Sequence, residues 1–513
     1  MKHGFKQALK GLLVGLAIFS TVISAESHSE SIAKNIHKPN ILLIIADDLG
    51  VGDLECYNPN SCKISTHNIN RLASQGLMAT DAHAPASVCT PTRYSILTGR
   101  YYHRYPHNWN GESLVELDRP TLASVLRQNG YETGYFGKVH TGWGERSKDR
   151  KHRQDLDWNK ELPRGVLEMG FNKYFGIPFT HNEPPFVFVE DRHVVGLEAH
   201  DPLVVIPKET NAGPFGWGAS TGAKAAHETR PVGEIDPIFT DKVIAYISEN
   251  KSKPFFINLA YSAPHVPYIP SKAFKGHSRI GPYGDVVEQL DFCVGRVLDT
   301  LEKLNLANNT IVIFTSDNGA MHNKATYATG HRSNGDLLGQ KTDAWEGGVR
   351  VPLIIRWPAK IEKGKILEQL ISLIDLPQTL WAAAEITPPQ DSAQDSLNQL
   401  PNLLDQKPRV IRKELFMIGI TGQALRSGDW VYIPSQGSQG VSTNPAMKTS
   451  MQMKELGYVN SDYNQDGTIK SDAPSAQLYN LKNDPRQANN VIGQFPEITK
   501  ALADRFAQVK KRK

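Results

Sequence analysis

Residues 40–50 read NILLIIADDLG. Ile41–Ala46 is an unbroken apolar run, and two carboxylates, Asp47 and Asp48, follow it at once. A short run that is apolar on both faces predicts a strand buried in a covered, mostly parallel sheet. Four more runs share this character: Tyr131–Phe136, Phe255–Ala260, Ile311–Thr315 and Pro352–Ile355. Helical patterns lie between them. Thr121–Asn129 stops at Gly130, Phe239–Asn250 stops before Lys-Ser-Lys-Pro, and Asp285–Leu304 keeps i, i+3, i+4 apolar spacing. Strand alternating with helix predicts an α/β domain. Residues 179–237, rich in Pro, Gly and His with little periodicity, read as long surface loops.

From about residue 410 the pattern changes. Leu415–Ile420 and Trp430–Ile433 read as strands around a Ser-Gly-Asp turn, Gln477–Leu481 as another, and a helix begins at Pro496. The expectation is an α/β domain over 26–409 and a small antiparallel sheet with one helix over 410–513, packed on it. The basic end Lys510–Lys513 reads as a solvated helix terminus.

The chain has 513 residues, 40% hydrophobic and 21% charged, which excludes a disordered, collagen-like or disulfide-scaffold protein. Lys2, Lys6 and Lys10, the apolar run Leu12–Ile23 and Ile-Ser-Ala at 23–25 predict a secretory signal over 1–25. The run is short of the roughly 20 apolar residues of a membrane span. The expectation is therefore a periplasmic or secreted product with no membrane attachment after cleavage. The formal charge of +4 falls to +1 without those three lysines, so no global field favours nucleic acid.

The four cysteines have different prospects. Cys56 and Cys62 are near enough in a turn-rich stretch to pair, and an exported chain permits a disulfide. Cys293 lies in the helical pattern of Val286, Leu290, Val294, Val297 and Leu301, as a core residue would. Cys89 has no obvious structural task.

Ligands of open α/β sheets bind beyond the carboxyl ends of the strands. Four runs deliver polar groups to that rim: Asp47-Asp48, Gly137-Lys138-Val139-His140, Ala263-Pro264-His265 and Asp317-Asn318-Gly319. Asp47, Asp48, Asp317 and Asn318 offer only oxygen, which suits a hard divalent cation such as calcium or magnesium rather than zinc. Lys138, His140, His265 and Lys341 add cationic and titratable groups, as an anionic substrate and acid/base work require. Ser87-Val-Cys89-Thr-Pro91-Thr-Arg93 puts a cysteine where a helix begins, with amides and a guanidinium that favour an anion.

Cys89-x-Pro91-x-Arg93 followed by Leu97-Thr-Gly-Arg100 resembles the signature of the type I sulfatases, in which the cysteine is oxidised to formylglycine. The resemblance extends in order through Asn40–Gly50, Gly137–His140, His265, Thr315–Gly319, Gly339–Pro352 and Leu478–Pro485. It implies an alkaline-phosphatase-like fold and one calcium ion held by Asp47, Asp48, Asp317, Asn318 and the modified Cys89. By the same resemblance one hydroxyl of the hydrated aldehyde attacks sulfur, its pKa lowered by metal, Arg93 and Lys138. Lys341 and His265 hold the sulfate oxygens, His265 protonates the leaving alcohol, and His140 takes the second hydroxyl's proton to expel sulfate. Where members carry a Ser-His pair after Gly-Ile-Pro, this chain has Thr180-His181.

Around that set, His181, His322, Lys324, His331, Arg332 and Asp336 are candidates for substrate recognition. The implied substrate is a sulfated carbohydrate, and the implied partner a formylglycine-generating enzyme. A phosphonate or phosphodiester hydrolase of the same fold, and an inactive sulfated-glycan-binding protein, are the competing readings. Asp462–Gly467 matches the start of a calcium loop, but Ala473 stands at its twelfth position, so a polar turn is the better reading.

Overall fold

A computed structural model describes residues 38–105, 112–144, 156–183, 186–198, 200, 230–419, 422–438 and 449–512. The leader read in 1–25 lies outside them. No helix among the described residues is long and apolar enough to cross a membrane.

Among the described residues the main sheet has ten strands. At its centre four parallel strands, β1 (Asn40–Ala46), β2 (Glu132–Lys138), β3 (Phe255–Ala260) and β4 (Thr310–Ser316), lie in the order β4-β1-β3-β2. Beyond β4 comes Leu353–Arg356, antiparallel to β4 and to Leu77–Ala79. Lys365–Leu367 ends that side. Beyond β2, Lys173–Ile177 is parallel, and Val189–Glu190 and His193–Val194 close the edge antiparallel.

The unbroken apolar runs follow from burial on both faces. Ile41, Leu43 and Ile45 face one core, with Tyr94, Ile96 and Leu97 of the Cys89–Thr98 helix and with the helices Leu122–Gln128 and Leu376–Ala383. Leu42, Ile44 and Ala46 face the other, against the helices His67–Ser74, Ile235–Asn250 and Pro282–Lys303. Each such Leu or Ile, withdrawn wholly from water, stabilises by about 1.5–3 kcal/mol.

Three expectations change. The loop region 179–237 contains, in its described part, the two short edge strands, and the helix expected from Phe239 begins at Ile235. The C-terminal antiparallel sheet has a fourth strand, Gln423–Ser427, between Glu414–Ile418 and Trp430–Ile433. A second helix, Thr449–Leu456, accompanies Pro496–Lys510. Its eight residues carry three apolar side chains, too few for a readable 3.6-residue period. Cys56 and Cys62 are free thiols, and Cys62 Sγ donates to the carbonyls of Asp53 and Ile64. Cys293 is buried in the core as expected.

An ion network stitches the two sheets together. Arg426, on Gln423–Ser427, grips both oxygens of Asp81 at 2.7 and 2.6 Å, and Arg350 bridges Asp81 to the buried Glu346.

Candidate active site

The four central strands end in register, so their last residues and the turns after them share one rim. Asp47 N donates to Ala263 O (2.9 Å) and Asp317 N to Ala46 O (3.2 Å), which locks three strand ends to one another. Into this rim runs the start of the Cys89–Thr98 helix. Pro91 sits in its first turn, Gly99 ends it in a left-handed conformation (φ 63°), and all ten of its residues are buried. A proline tolerated near the start and a glycine just past the end fix both termini.

The charges are paired tightly. Lys138 Nζ lies 2.6 Å from Asp47 Oδ2, and Lys341 Nζ lies 2.7 Å from Asp48 Oδ2. Arg93 donates through Nε (3.0 Å) and Nη2 (2.7 Å) to Asp317 Oδ2, and through Nη1 to the Lys138 carbonyl (3.0 Å). Three carboxylates thus face three fixed cations, all withdrawn from water. His265 Nε2 stands 3.7 Å from Asp48 Oδ2, while its Nδ1 meets the Val266 carbonyl at 2.7 Å. The His140 carbonyl accepts from Thr90 Oγ1 (2.9 Å), which ties His140 to the helix that carries Cys89.

Asp48 (φ 66°), His140 (φ 51°) and Thr342 (φ 82°) all occupy the left-handed region, the last although it is β-branched. Such strain persists only where surrounding contacts impose it, and it clusters at functional sites.

The oxygen atoms here suit a cation. Asp47 Oδ1 and Asn318 Oδ1 are buried without a hydrogen-bond partner. Ligand atoms of Asp47, Cys89 and Asp317 lie within 4.8 Å of one another, the one such cluster among the described residues. Orphaned buried acceptors cost about 1–3 kcal/mol each, a cost that a hard cation removes. The donor set therefore fits calcium or magnesium.

Burial raises the pKa of the Cys89 thiol, against the pull of Lys138 and Lys341. As a thiol it remains protonated at neutral pH and is a weak nucleophile. Burial, with Lys341 and Lys138 nearby, holds His265 well below its ordinary value. His181, its ring edge-on to His265 at 5.6 Å, is pushed down to about 3, by burial first and Arg230 second.

The structure brings together Cys89, Arg93, Lys138, His140, His265, Lys341, Asp47, Asp48, Asp317 and Asn318. The recognition candidates divide. Thr180 and His181 border the His265 loop, Thr180 Oγ1 donating to Asn182 Oδ1 (2.5 Å) and His181 Nε2 meeting the Pro267 carbonyl (3.2 Å). His331 does not belong with them. It is fully buried, Nδ1 accepting from Lys63 N (3.2 Å) and Nε2 meeting Asp53 Oδ1 (2.8 Å), so both ring nitrogens serve the fold. His322 is likewise buried, stacked on Tyr458 and bonded through Nδ1 to Tyr327 OH (2.6 Å). Lys324 is exposed and paired with Glu455. Arg332 and Asp336 line a cavity of their own. The loop at 462–473 is a hairpin turn: Asp462 is held by Ser461 and Asn490, and Asp466 binds Thr468.

Two supporting residues escaped the sequence reading. Asp236 accepts from Ser262 N (2.8 Å), Ser262 Oγ (3.0 Å) and Ala263 N (2.9 Å), fixing the turn that carries His265. Gln452 accepts from Gly339 N (3.1 Å) and donates to Asp343 Oδ2 (2.7 Å), bracing the loop that carries Lys341.

Comparison with known proteins agrees with this geometry. A family model described as "Sulfatase" matches residues 39–386. An N-acetylgalactosamine-6-O-sulfatase of Bacteroides thetaiotaomicron is 34% identical over 93% of this chain and 94% of its own. The human N-acetylgalactosamine-6-sulfatase is 32% identical over 71% of this chain and 66% of its own. A solved structure from work on glycosaminoglycan metabolism by Bacteroides thetaiotaomicron superposes with a TM-score of 0.79 at 34% identity, covering 93% of this chain and all of the other.

Proposed function

Because the chain belongs to the sulfatase family and is a sulfuric ester hydrolase, we propose that it removes sulfate from a sulfated carbohydrate at the Cys89 centre. The carrying observation is the convergence of Cys89 with Asp47 and Asp317 beside Arg93, Lys138 and Lys341. Relatives named for N-acetylgalactosamine 6-sulfate make that sugar the first substrate to try. The leader read in residues 1–25 supports export to the periplasm or beyond, and maturation calls on a formylglycine-generating enzyme as partner.

Asp47, Asp48, Asp317, Asn318 and residue 89 would hold calcium. When present, formylglycine and calcium supply a hydrated-aldehyde nucleophile and positive charge beside the ester oxygens. The remaining tasks fall to this chain's own side chains. Lys138 and Arg93 flank residue 89 and favour loss of a proton from it. Lys341 binds a sulfate oxygen as negative charge shifts there. His265 hands a proton to the departing alcohol oxygen. Its Nδ1–H donates to the Val266 carbonyl, so the proton handed over is one that Nε2 takes up when the negative charge of the bound sulfate ester favours the imidazolium. His140 accepts the proton whose departure releases sulfate.

The test begins with mass spectrometry of the peptide carrying Cys89, from protein made in a host that matures other sulfatases. The expected result is the mass loss of thiol-to-aldehyde conversion, together with sulfate release from N-acetylgalactosamine 6-sulfate. A chelator is expected to abolish that release and added calcium to restore it. An intact thiol with no sulfate release from any glycan would sink the reading in favour of a binding protein. Faster cleavage of an aryl phosphodiester than of any sulfate ester would move it to the phosphodiester class.

A further inference from the structure

Apart from the paired charges lies a cavity of ≈ 310 Å³ lined by Arg332, Asp336, Tyr458, Val459 and Arg486 among others. Its size is at the lower end of the roughly 300–1,000 Å³ of small-molecule sites, room for one sugar. Its walls come from two parts of the chain, the 332–336 loop and the C-terminal segments around 458 and 486.

The chemistry is that of an anionic sugar. Two guanidiniums face one carboxylate, so the lining carries net positive charge. Arg332 makes no ion pair among the described residues. Its Nη1 donates to the carbonyls of Tyr327 and His331 (3.0 Å each), and its plane lies over the Tyr327 ring at 4.7 Å. Those contacts hold the guanidinium in place and leave its other donors for a ligand. Arg486 pairs with Asp336, both about two-thirds exposed, a contact that water already screens and a ligand can displace. Val459, 73% exposed, and Tyr458 give the apolar edge that a sugar ring covers. Tyr458 is held firm by His322, stacked at 5.4 Å, and by its hydroxyl's bond to the Gly335 carbonyl.

The cavity is also within reach of the chemistry. Asp336 stands five residues before Lys341, so at most about 18 Å of chain separates them. The same loop is pinned beside the metal-side carboxylates, Gly52 N donating to Ser333 O at 2.7 Å.

We propose that this cavity is a second sugar subsite, taking an anionic residue of an oligosaccharide whose neighbouring sugar presents its sulfate to the Cys89 centre. This rests on the sulfatase reading above. The test compares the 6-O-sulfated N-acetylgalactosamine monosaccharide with a tetrasaccharide that alternates it with uronic acid. Arg486→Ala is expected to raise KM for the tetrasaccharide about tenfold, with kcat and the monosaccharide constants within about twofold. Arg332→Ala raises the same KM. A carboxyl-reduced tetrasaccharide tells the two anions apart: loss of the arginine effect assigns the site to uronate, its retention to sulfate. An unchanged tetrasaccharide KM in Arg486→Ala, or equal losses on both saccharides, overturns the subsite.

Should the mature enzyme cleave neither saccharide, the substrate reading fails on its own account. Calorimetric titration of the tetrasaccharide into Cys89→Ala protein then decides the cavity. Binding that weakens on adding Arg486→Ala supports it; binding unaffected by that change, or absent altogether, refutes it.

Discussion

The catalytic rim and the Arg332–Arg486 cavity both gather cations, but they hold them in opposite ways. On the rim every cation is buried and locked to a carboxylate at 2.6–2.7 Å, on turns tied to rigid strand ends. In the cavity Arg332 has no carboxylate partner among the described residues, and Arg486 holds one only at the surface. Charges fixed in a dry site need no reorganisation when the reaction's own charge develops, whereas a half-open site can adapt to variable sugars. The contrast separates transition-state stabilisation from recognition.

Removing one cation from each region tests that separation most strongly. Lys341→Ala is expected to lower kcat by about 10³-fold on every substrate, with a modest change in KM. Arg486→Ala acts through KM alone, and only on the longer saccharide. Steady-state kinetics on both substrates would break the comparison if Lys341→Ala raised KM while sparing kcat.

Burial on the rim side also leaves a signature in stability. Asp343, two residues past Lys341, is pushed up to about 7 by burial, although Gln452 and the Gln340 amide favour its charged form. Its folded pKa lies above its unfolded value of 3.8, so its contribution is fully present below about pH 4 and is lost as pH rises through 7. The span amounts to on the order of 4 kcal/mol. Asp343→Asn, neutral throughout, should therefore gain on the parent protein in thermal unfolding between pH 4 and 8. Parallel curves for the two proteins would mean that Asp343 is ordinarily charged.

Asp236 probes how firmly the catalytic turn is held. Asp236→Asn replaces an acceptor with an amide donor that faces backbone N–H groups of Ser262 or Ala263. Small displacements of a catalytic group cost about 10²-fold. With His265 as acid, the expected loss is near that size for a sugar sulfate, whose alcohol needs a proton. It is under about fivefold for a nitrophenyl sulfate, whose phenolate does not. Equal losses on both would reduce Asp236 to a structural role.

These residues also mark what the sequence could convey. The rim was readable because β1 to β4 are short apolar runs that end abruptly in Asp, Lys, His or Asn, and parallel strands put those ends together. Asp236 could not be read: it falls in the 179–237 stretch read as surface loops, where an acid looks like an ordinary solvated side chain. Gln452 is a neutral side chain on a short helix, and its partners Gly339 and Asp343 are more than 100 residues away. His331 misled for a related reason, since a histidine in a polar loop looks available until folding buries it on Asp53. Arg486 lies in the C-terminal segment and reaches the cavity only through the packing of that segment on the 332–336 loop.

Asp336 offers the smallest effect and the most informative sign. Its carboxylate holds Arg486 and at the same time repels an incoming anion. Asp336→Asn frees the guanidinium and makes the cavity more positive, so KM for the uronate-containing tetrasaccharide is expected to fall by about twofold to threefold. That is opposite in direction to Arg486→Ala. Both partners are exposed, so salt screens the gain, which should fade as ionic strength approaches about 1 M. Kinetics on the monosaccharide and the thermal midpoint should not move. A rise in tetrasaccharide KM instead would show that Asp336 orients Arg486 for the ligand, and the cavity would then share the interlocked design of the catalytic rim.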